Sequence, residues 1–539
     1  MKIRRVTLGV IALAAAGALA LSGCATGSTP AATGAAGNLA AIVSTNGSEP
    51  QNPLIPTNTN ETGGGKIVDS IFAGLVSYDA AGAESNDVAE SITTTDAQNY
   101  TVKVKTGQTF TNGEAVTAKS FVDAWQYGAL FSHTQLNSYF FDNIEGFSYE
   151  ADSPLTGLVV VDDTTFTVKL TQPEADWPLR LGYSAFMPLP SVAYADLAAF
   201  GENPIGNGPY KLAAAGSWQH NVEINLVSNA EYTGPRVPKN GGLRIVFYAT
   251  TTAAYADLLG GNLDVLDAVP SANLGTYKTD LGDRAVNQPA AIFQSFTIPE
   301  RLAHFSGEEG KLRRAAISEA INRPQITDVI FEGTRTPASD FTSPVINGWS
   351  DSLAGADVLA YDETKAKADW ASANAISPWS GSFDIAYNAD GDHAAWVDAV
   401  TNSIKNTLGI ESAGVPYPTF AQVRTLVTSQ EITTAFRTGW QADYPSLFNF
   451  LGPLYATGAG SNDGRYSNPA FDALLTQGAS ETDLTVANSE FQKAQEILLQ
   501  DLPSIPLWYS NVTGGYGTGV ENVKFGWNSV PIYSDITKG

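Results

Sequence analysis

Arg437-Thr-Gly-Trp440-Gln-Ala-Asp443-Tyr444-Pro-Ser-Leu-Phe-Asn449-Phe-Leu451 sets a cation, an indole and an acid just before a Tyr-Pro step. The Tyr444-Pro445 pair turns the chain. Asp443, immediately before it, has two readings: a side chain that caps the turn, or an anion held out to a ligand. Trp440 serves equally as the wall of a ligand pocket or as core. Gly439 lets a second backbone approach closely. Arg437 lies six residues before Asp443. On a strand that even offset puts both side chains on one face, about 20 Å apart at ~3.3 Å per residue. The competing role for Arg437 is surface solvation or a structural ion pair.

Outward from this stretch, short strands and helices alternate. Thr101–Lys105 and Phe166–Leu170 show period two, hence half-buried strands, and Asp162-Asp163 marks a turn before the second. Thr117 is placed to cap a helix running to Ala129, with Phe121 and Trp125 on one face. Lys311–Asn322 reads as a helix broken by Asn322-Arg323-Pro324, and Val486–Leu499 as another. Ile505–Tyr509 reads as a closing strand. Such a mixture over more than 500 residues predicts an α/β protein of more than one domain.

At the other end of the chain, Lys2, Arg4 and Arg5 precede an apolar run, Val6–Leu21, and then Ser22-Gly23-Cys24. This is a secretory leader (residues 1–23), too short and wrongly flanked for a retained membrane span. It resembles a bacterial lipoprotein signal, which implies that Cys24 becomes the first residue and carries lipid. Cys24 is the chain's single cysteine, so no disulfide remains and the exported fold must hold by packing alone. Residues 24–39 form the lipidated end and an uncharged tether rich in Ala, Gly, Thr, Ser and Pro. Two acyl chains anchor stably where one does not. No later stretch has the roughly 20 apolar residues of a transmembrane helix. The net charge of −25 argues against nucleic acid or an anionic membrane surface as a partner.

A search for catalytic chemistry returns little. The four histidines, His133, His220, His304 and His393, form no zinc-binding spacing, so no metal site is expected. No Gly-x-Ser-x-Gly elbow occurs. Gly63-Gly64-Gly65-Lys66 is followed by Ile67-Val68, not by the Ser/Thr of a phosphate-binding loop, and reads as a plain loop. The balance tilts toward binding, with no enzyme activity and no cofactor expected.

The 437–451 stretch resembles the signature of extracellular solute-binding proteins of the oligopeptide and dipeptide class, family 5. These are the ligand receptors of ATP-binding-cassette importers. Five further stretches match in the same order: Ile71–Asp79, Asn112–Trp125, Gly206–Leu212, Leu312–Arg323 and Tyr466–Asp472. Asn46-Gly47-Ser48-Glu49 before Asn52-Pro53 resembles the start of the mature oligopeptide binders. The likeness runs from about residue 40 to about 510.

The resemblance implies a two-lobed periplasmic-binding-protein-like clamp of the class II type, with an extra subdomain inserted in the first lobe. Residues 40–66, 183–290 and 504–539 would form lobe I, 67–182 the insertion and 291–503 lobe II. It implies that Asp443 pairs with a peptide α-ammonium. Gly439, Trp440, Gln441 and Ala442 would lie along the ligand, their backbone pairing with its backbone, with Thr57, Asn58 and Thr59 on its other edge. Arg437 would suit the anionic far end of a short peptide. His393 matches a histidine used for short-peptide carboxylates, with surface solvation or a structural ion pair as its competing role. The family's lysine after the 312–323 helix has no counterpart in Pro324–Gly333. Implied partners are a short peptide and separately encoded permease and ATPase subunits. The protein itself would be a monomer held outside the cell membrane by its N-terminal lipid alone. An oligosaccharide, opine or metal chelate is the alternative ligand for the same clamp.

Overall fold

The structure is a computed structural model that describes residues 38–391 and 393–539. The leader, Cys24 and most of the tether lie outside the described residues, as does Asp392. No helix among the described residues is long and apolar enough to cross a membrane.

Two large hydrophobic cores organise the chain. One gathers residues from Val43 to Ala290, takes in Tyr444 from the other lobe, and closes with Val512, Val520, Phe525, Tyr533 and Ile536. The other gathers residues from Ala291 to Tyr509, with Trp527. Each is the interior of one lobe. The first lobe's sheet holds Ile42–Gly47 parallel to Gly242–Phe247, which pairs antiparallel with Glu223–Ser228. The second lobe's sheet holds Ser382–Asn388 parallel to both Glu411–Tyr417 and Ala435–Gln441.

Two long strands, Ala285–Thr297 and Ser504–Tyr516, run antiparallel to each other and join these parts into one continuous sheet, Ala285–Thr297 pairing with Ala435–Gln441 and Ser504–Tyr516 with Val265–Leu266. Their ladder is irregular between Pro289 and Phe293. Proline lacks the N–H a ladder needs, and Ala290 and Ala291 fall in different cores. The crossover therefore has its weakest pairing where one core gives way to the other.

Within residues 67–182, Ala89–Thr94, Asn99–Val104, Thr165–Lys169 and Leu158–Asp162 make a four-stranded antiparallel sheet in that order. Helix Ala118–Ala129 covers it. Thr117 and Ser120 cap its first turn reciprocally, and Phe121 and Trp125, four apart, pack on Phe166. This sheet shares the first lobe's core.

Two local expectations are corrected. Gly63-Gly64-Gly65-Lys66 is not a loop: it forms the first turns of helix Thr62–Ile71, capped by Glu61 accepting from the Gly64 N–H at 2.7 Å. Glycine is a poor helix former, but a Cβ on Gly64 would sit 2.8 Å from Thr59 Cγ2, so packing chooses the residue. The helix expected at 311–322 spans Gly307–Glu319. Asn322 then accepts from the Gln325 N–H at 3.1 Å and starts a second helix, Arg323–Val329. Pro324 sits in that helix's first turn, where no N–H is required.

Candidate functional site

Strand Ala435–Gln441 lies against Ala285–Thr297 along its whole length except its first residue, from Phe436 to Gln441. On its other edge it pairs with Ser382–Asn388 only at Ala435 and Phe436. Residues 437–441 thus present an edge with no strand partner among the described residues. An open edge is a ready template for another extended chain.

At the end of this strand the chain turns, and Asp443 is half-buried. Its carboxylate accepts from Asn449 Nδ2 at 3.3 Å. Asn449, buried in helix Leu447–Tyr455, accepts at Oδ1 from the Asp443 N–H at 3.1 Å and from the Trp440 indole N–H at 3.0 Å. Asp443 accepts no main-chain N–H among the described residues, so the turn-capping reading has no hydrogen bond behind it. Ser446 caps the helix instead, accepting from the Phe448 N–H. Among the described residues, no cation lies within ion-pair distance of Asp443. Burial pushes its carboxyl above the usual range, partly offset by Asn449 and the Arg180 charge.

Asp443, Gln441 and Ala442 line a cavity of about 520 Å³ between the lobes. Its other walls come from the first lobe: Thr59, Lys66 and Asp69 around the glycine-rich helix, Tyr78, Tyr183, and the C-terminal segment carrying Trp527 and Tyr533. Tyr78 meets Trp527 edge to face at 5.7 Å. Tyr183 stacks on Phe140, which packs on Tyr139. Burial raises the Tyr139 and Tyr183 hydroxyls, and the nearby Asp443 charge raises them further.

Close by, Arg180 pairs with Glu174 at 2.8 Å and lies over the Tyr444 ring at 5.0 Å. The Ala175 N–H donates to Ala479 O at 2.9 Å, so this segment joins the two lobes beside Asp443.

The remaining expected residues separate. Gly439, Trp440 and Arg437 line a second cavity of about 250 Å³ inside the second lobe, with Phe420, Arg424 and Asp463. The Arg437 guanidinium lies 5.5 Å from the Phe420 ring, and its Nε is buried without a hydrogen bond. Burial and then Arg424 lower its pKa, against Asp390. The expectation of one shared face for Arg437 and Asp443 is therefore corrected: the strand ends at Gln441, and the turn carries Asp443 into a different cavity. His393 starts helix Ala394–Leu408 and accepts from the Trp396 indole N–H at 3.1 Å. It lines neither cavity.

Of the three threonine–asparagine positions, only Thr59 reaches the inter-lobe cavity. Thr57 is fully buried and donates to Gln135 Oε1 at 2.9 Å. Asn58 accepts from the Leu136 N–H at 3.3 Å. Asp69, Tyr183 and Trp527 were not singled out from sequence. Only the Ile71–Asp79 stretch, which begins two residues after Asp69, pointed near them. No group of three or more metal-ligating side chains occurs among the described residues.

Residues 85–462 match the family model for bacterial extracellular solute-binding proteins, family 5 Middle. The chain is 25% identical over 481 residues to the oligopeptide-binding protein OppA of Bacillus subtilis, covering 85% of each. It is similar in fold to the unliganded open form of the periplasmic murein tripeptide binding protein MppA. That match has a TM-score of 0.83 at 20% identity, over 93% of this chain and 98% of that one. The complex of Haemophilus influenzae OppA with the peptide RPPGFSPFR matches with a TM-score of 0.66 at 20% identity, over 93% and 99%.

Proposed function

The chain belongs to the bacterial extracellular solute-binding proteins, family 5, and from that membership we propose that it captures short peptides for an ATP-binding-cassette importer. The observation that carries this reading is the half-buried Asp443 carboxylate, with no cation within ion-pair distance among the described residues, at the end of a strand whose outer edge is unpaired over residues 437–441. A peptide laid along residues 439–442 pairs with that edge through its backbone and brings its α-ammonium to Asp443. Backbone pairing ignores side chains, which suits a receptor for many sequences. The ammonium leaves water as the lobes close, and an anion with further hydrogen bonds compensates for that loss.

In this reading residues 40–66, 183–290 and 504–539 move as one body, with 67–182 riding on it, against 291–503. The irregular ladder at Pro289–Phe293 gives the twist point. Lipid on Cys24 tethers the receptor outside the cell membrane, a separately encoded permease takes the cargo, and one copy suffices. Arg437, in its own cavity, is assigned to an anionic group farther along the ligand.

The test is calorimetry on the form beginning after Cys24, stripped of cargo by refolding. Free tripeptides should bind and N-acetylated ones should not. Asp443→Ala should lose ~3 kcal/mol or more, as when a buried charge loses its partner. Equal binding of acetylated peptides would end the Asp443 role. Binding only of oligosaccharides or chelates would keep the clamp and discard the peptide.

A further inference from the structure

Six charged side chains line the inter-lobe cavity: Glu61, Lys66, Asp69, Asp79, Arg236 and Asp443. Four are committed within the protein. Glu61 caps helix Thr62–Ile71. Asp79 accepts from the Ala81 and Ala83 N–H groups at 2.8 and 2.9 Å. Lys66 is bonded to Asp267, itself held by Asn46 at 2.6 Å. Arg236 pairs with the buried Asp87 at 3.2 Å and donates to the Asp69 and Phe72 carbonyls, not to the Asp69 carboxylate.

That leaves two acids, Asp69 and Asp443, one from each lobe, with no cation within 4 Å among the described residues. Burial raises the Asp69 carboxyl to about 6, partly offset by Arg236. The Tyr183 hydroxyl feels both the Asp443 and the Asp69 charge, so one aromatic side chain stands near both. Tyr78, which also feels Asp69, and Trp527 form the adjoining wall. Aromatic faces are electronegative and attract cations. Two desolvated carboxylates that line one cavity with such rings lose stability when empty and gain it when neutralised. One α-ammonium neutralises one of them.

We propose that the cavity selects peptides whose first residue is basic, with the α-ammonium at Asp443 and the side-chain ammonium or guanidinium at Asp69 beside Tyr78, Tyr183 and Trp527. This rests on the peptide reading above and adds a preference to it. The stem of a lysine or arginine is apolar and packs along the rings while its head reaches the carboxylate.

The experiment titrates Lys-Ala-Ala and its uncharged isostere norleucine-Ala-Ala into the wild-type protein and into Asp69→Asn by calorimetry at pH 7.5. The lysine peptide should bind at least tenfold tighter to the wild type, and that ratio should fall toward one in Asp69→Asn. The wild-type comparison stands even if the variant fails to fold. Equal affinities in the wild type, or a ratio unchanged in Asp69→Asn, would overturn the preference alone. Failure of both peptides to bind the stripped wild-type protein would overturn the peptide reading, and the preference with it.

Discussion

Asn449 grips Asp443 at both ends, accepting from its main-chain N–H at 3.1 Å and donating to its carboxylate at 3.3 Å. The same Oδ1 holds the Trp440 indole, so one buried amide fixes both the acid and the strand that leads to it. Asn449→Leu removes three hydrogen bonds and leaves the Trp440 donor unsatisfied. Peptide affinity should fall by about 2 kcal/mol, close to thirtyfold, with the fold retained. Calorimetry beside near-ultraviolet circular dichroism checks this. Unchanged affinity would mean that Asp443 is positioned without Asn449.

Acid should release peptide. The Asp443 carboxyl is raised by burial, so it takes up a proton at a higher pH than an exposed aspartate, and the neutral acid no longer pairs with an ammonium. Affinity for free peptides should be full above the raised value and fall as pH drops through it. Calorimetric titrations from pH 8 to pH 4.5 in one buffer series measure the profile. In Asp443→Ala the fall should be much shallower.

Stability of the empty protein should respond to Asp69 in the opposite sense. Its folded-state pKa of about 6 exceeds the unfolded value of ~3.9. Between those values the native state binds more protons, so its stability falls as pH rises through the window. Asp69→Asn should therefore stabilise the empty protein at pH 7.5 by ~1–2 kcal/mol and change little at pH 4. Urea unfolding of both proteins at the two pH values decides it.

Arg180 is nearly enclosed beside two buried carboxylates. Its pair with Glu174 is 2.8 Å long, and its charge also offsets the burial that raises the Asp176 carboxyl. Burial raises Glu174 to about 6 even with Arg180 present. Arg180→Met should cost ~3 kcal/mol at pH 7.5, because the acids lose their counter-charge. The loss should shrink at pH 5, where Glu174 is free to protonate. A loss independent of pH would assign the defect to packing against Tyr444.

Gly208 donates to Ile71 O at 2.7 Å, and a Cβ on it would lie 2.6 Å from the Ile71 carbonyl carbon. Asn207 meanwhile brackets Ala73 from both sides, at 3.0 and 3.1 Å. Gly208→Ala should destabilise the first lobe by about 2 kcal/mol or more, since backbone has no room to yield. A drop in thermal midpoint is the readout.

Much of this was legible in short stretches because their residues act locally. Thr117 caps and Phe121 and Trp125 pack as their spacing predicts. Leu312–Arg323 is recognisable because its arginines are structural: Arg314 donates to Asp501 O at 2.6 Å, and Arg323 to Pro506 O at 2.8 Å. The cavity is not legible as a whole, because it joins residues 59–79, 182–187, 209–210, 236, 441–443 and 526–534. No local pattern links Asp69 to Trp527. Strand parity puts Arg437 on one face with Asp443, and it holds only until the strand ends at Gln441. Thr57 looked available in a loop, yet the fold buries its hydroxyl against Gln135.

The crossover strand Ser504–Tyr516 has a consequence for how the chain acquires its structure. It pairs with Val265–Leu266, Ala285–Thr297 and Arg335–Pro337, and the tail behind it supplies Phe525, Tyr533 and Ile536 to the core that Val43 begins. The main-chain N–H of Asn38 even donates to Lys538 O at 3.2 Å. Neither lobe can close until the last segment has been synthesised, so a growing chain carries unpaired strand edges almost to its end. Such non-local pairing folds slowly and exposes aggregation-prone surface.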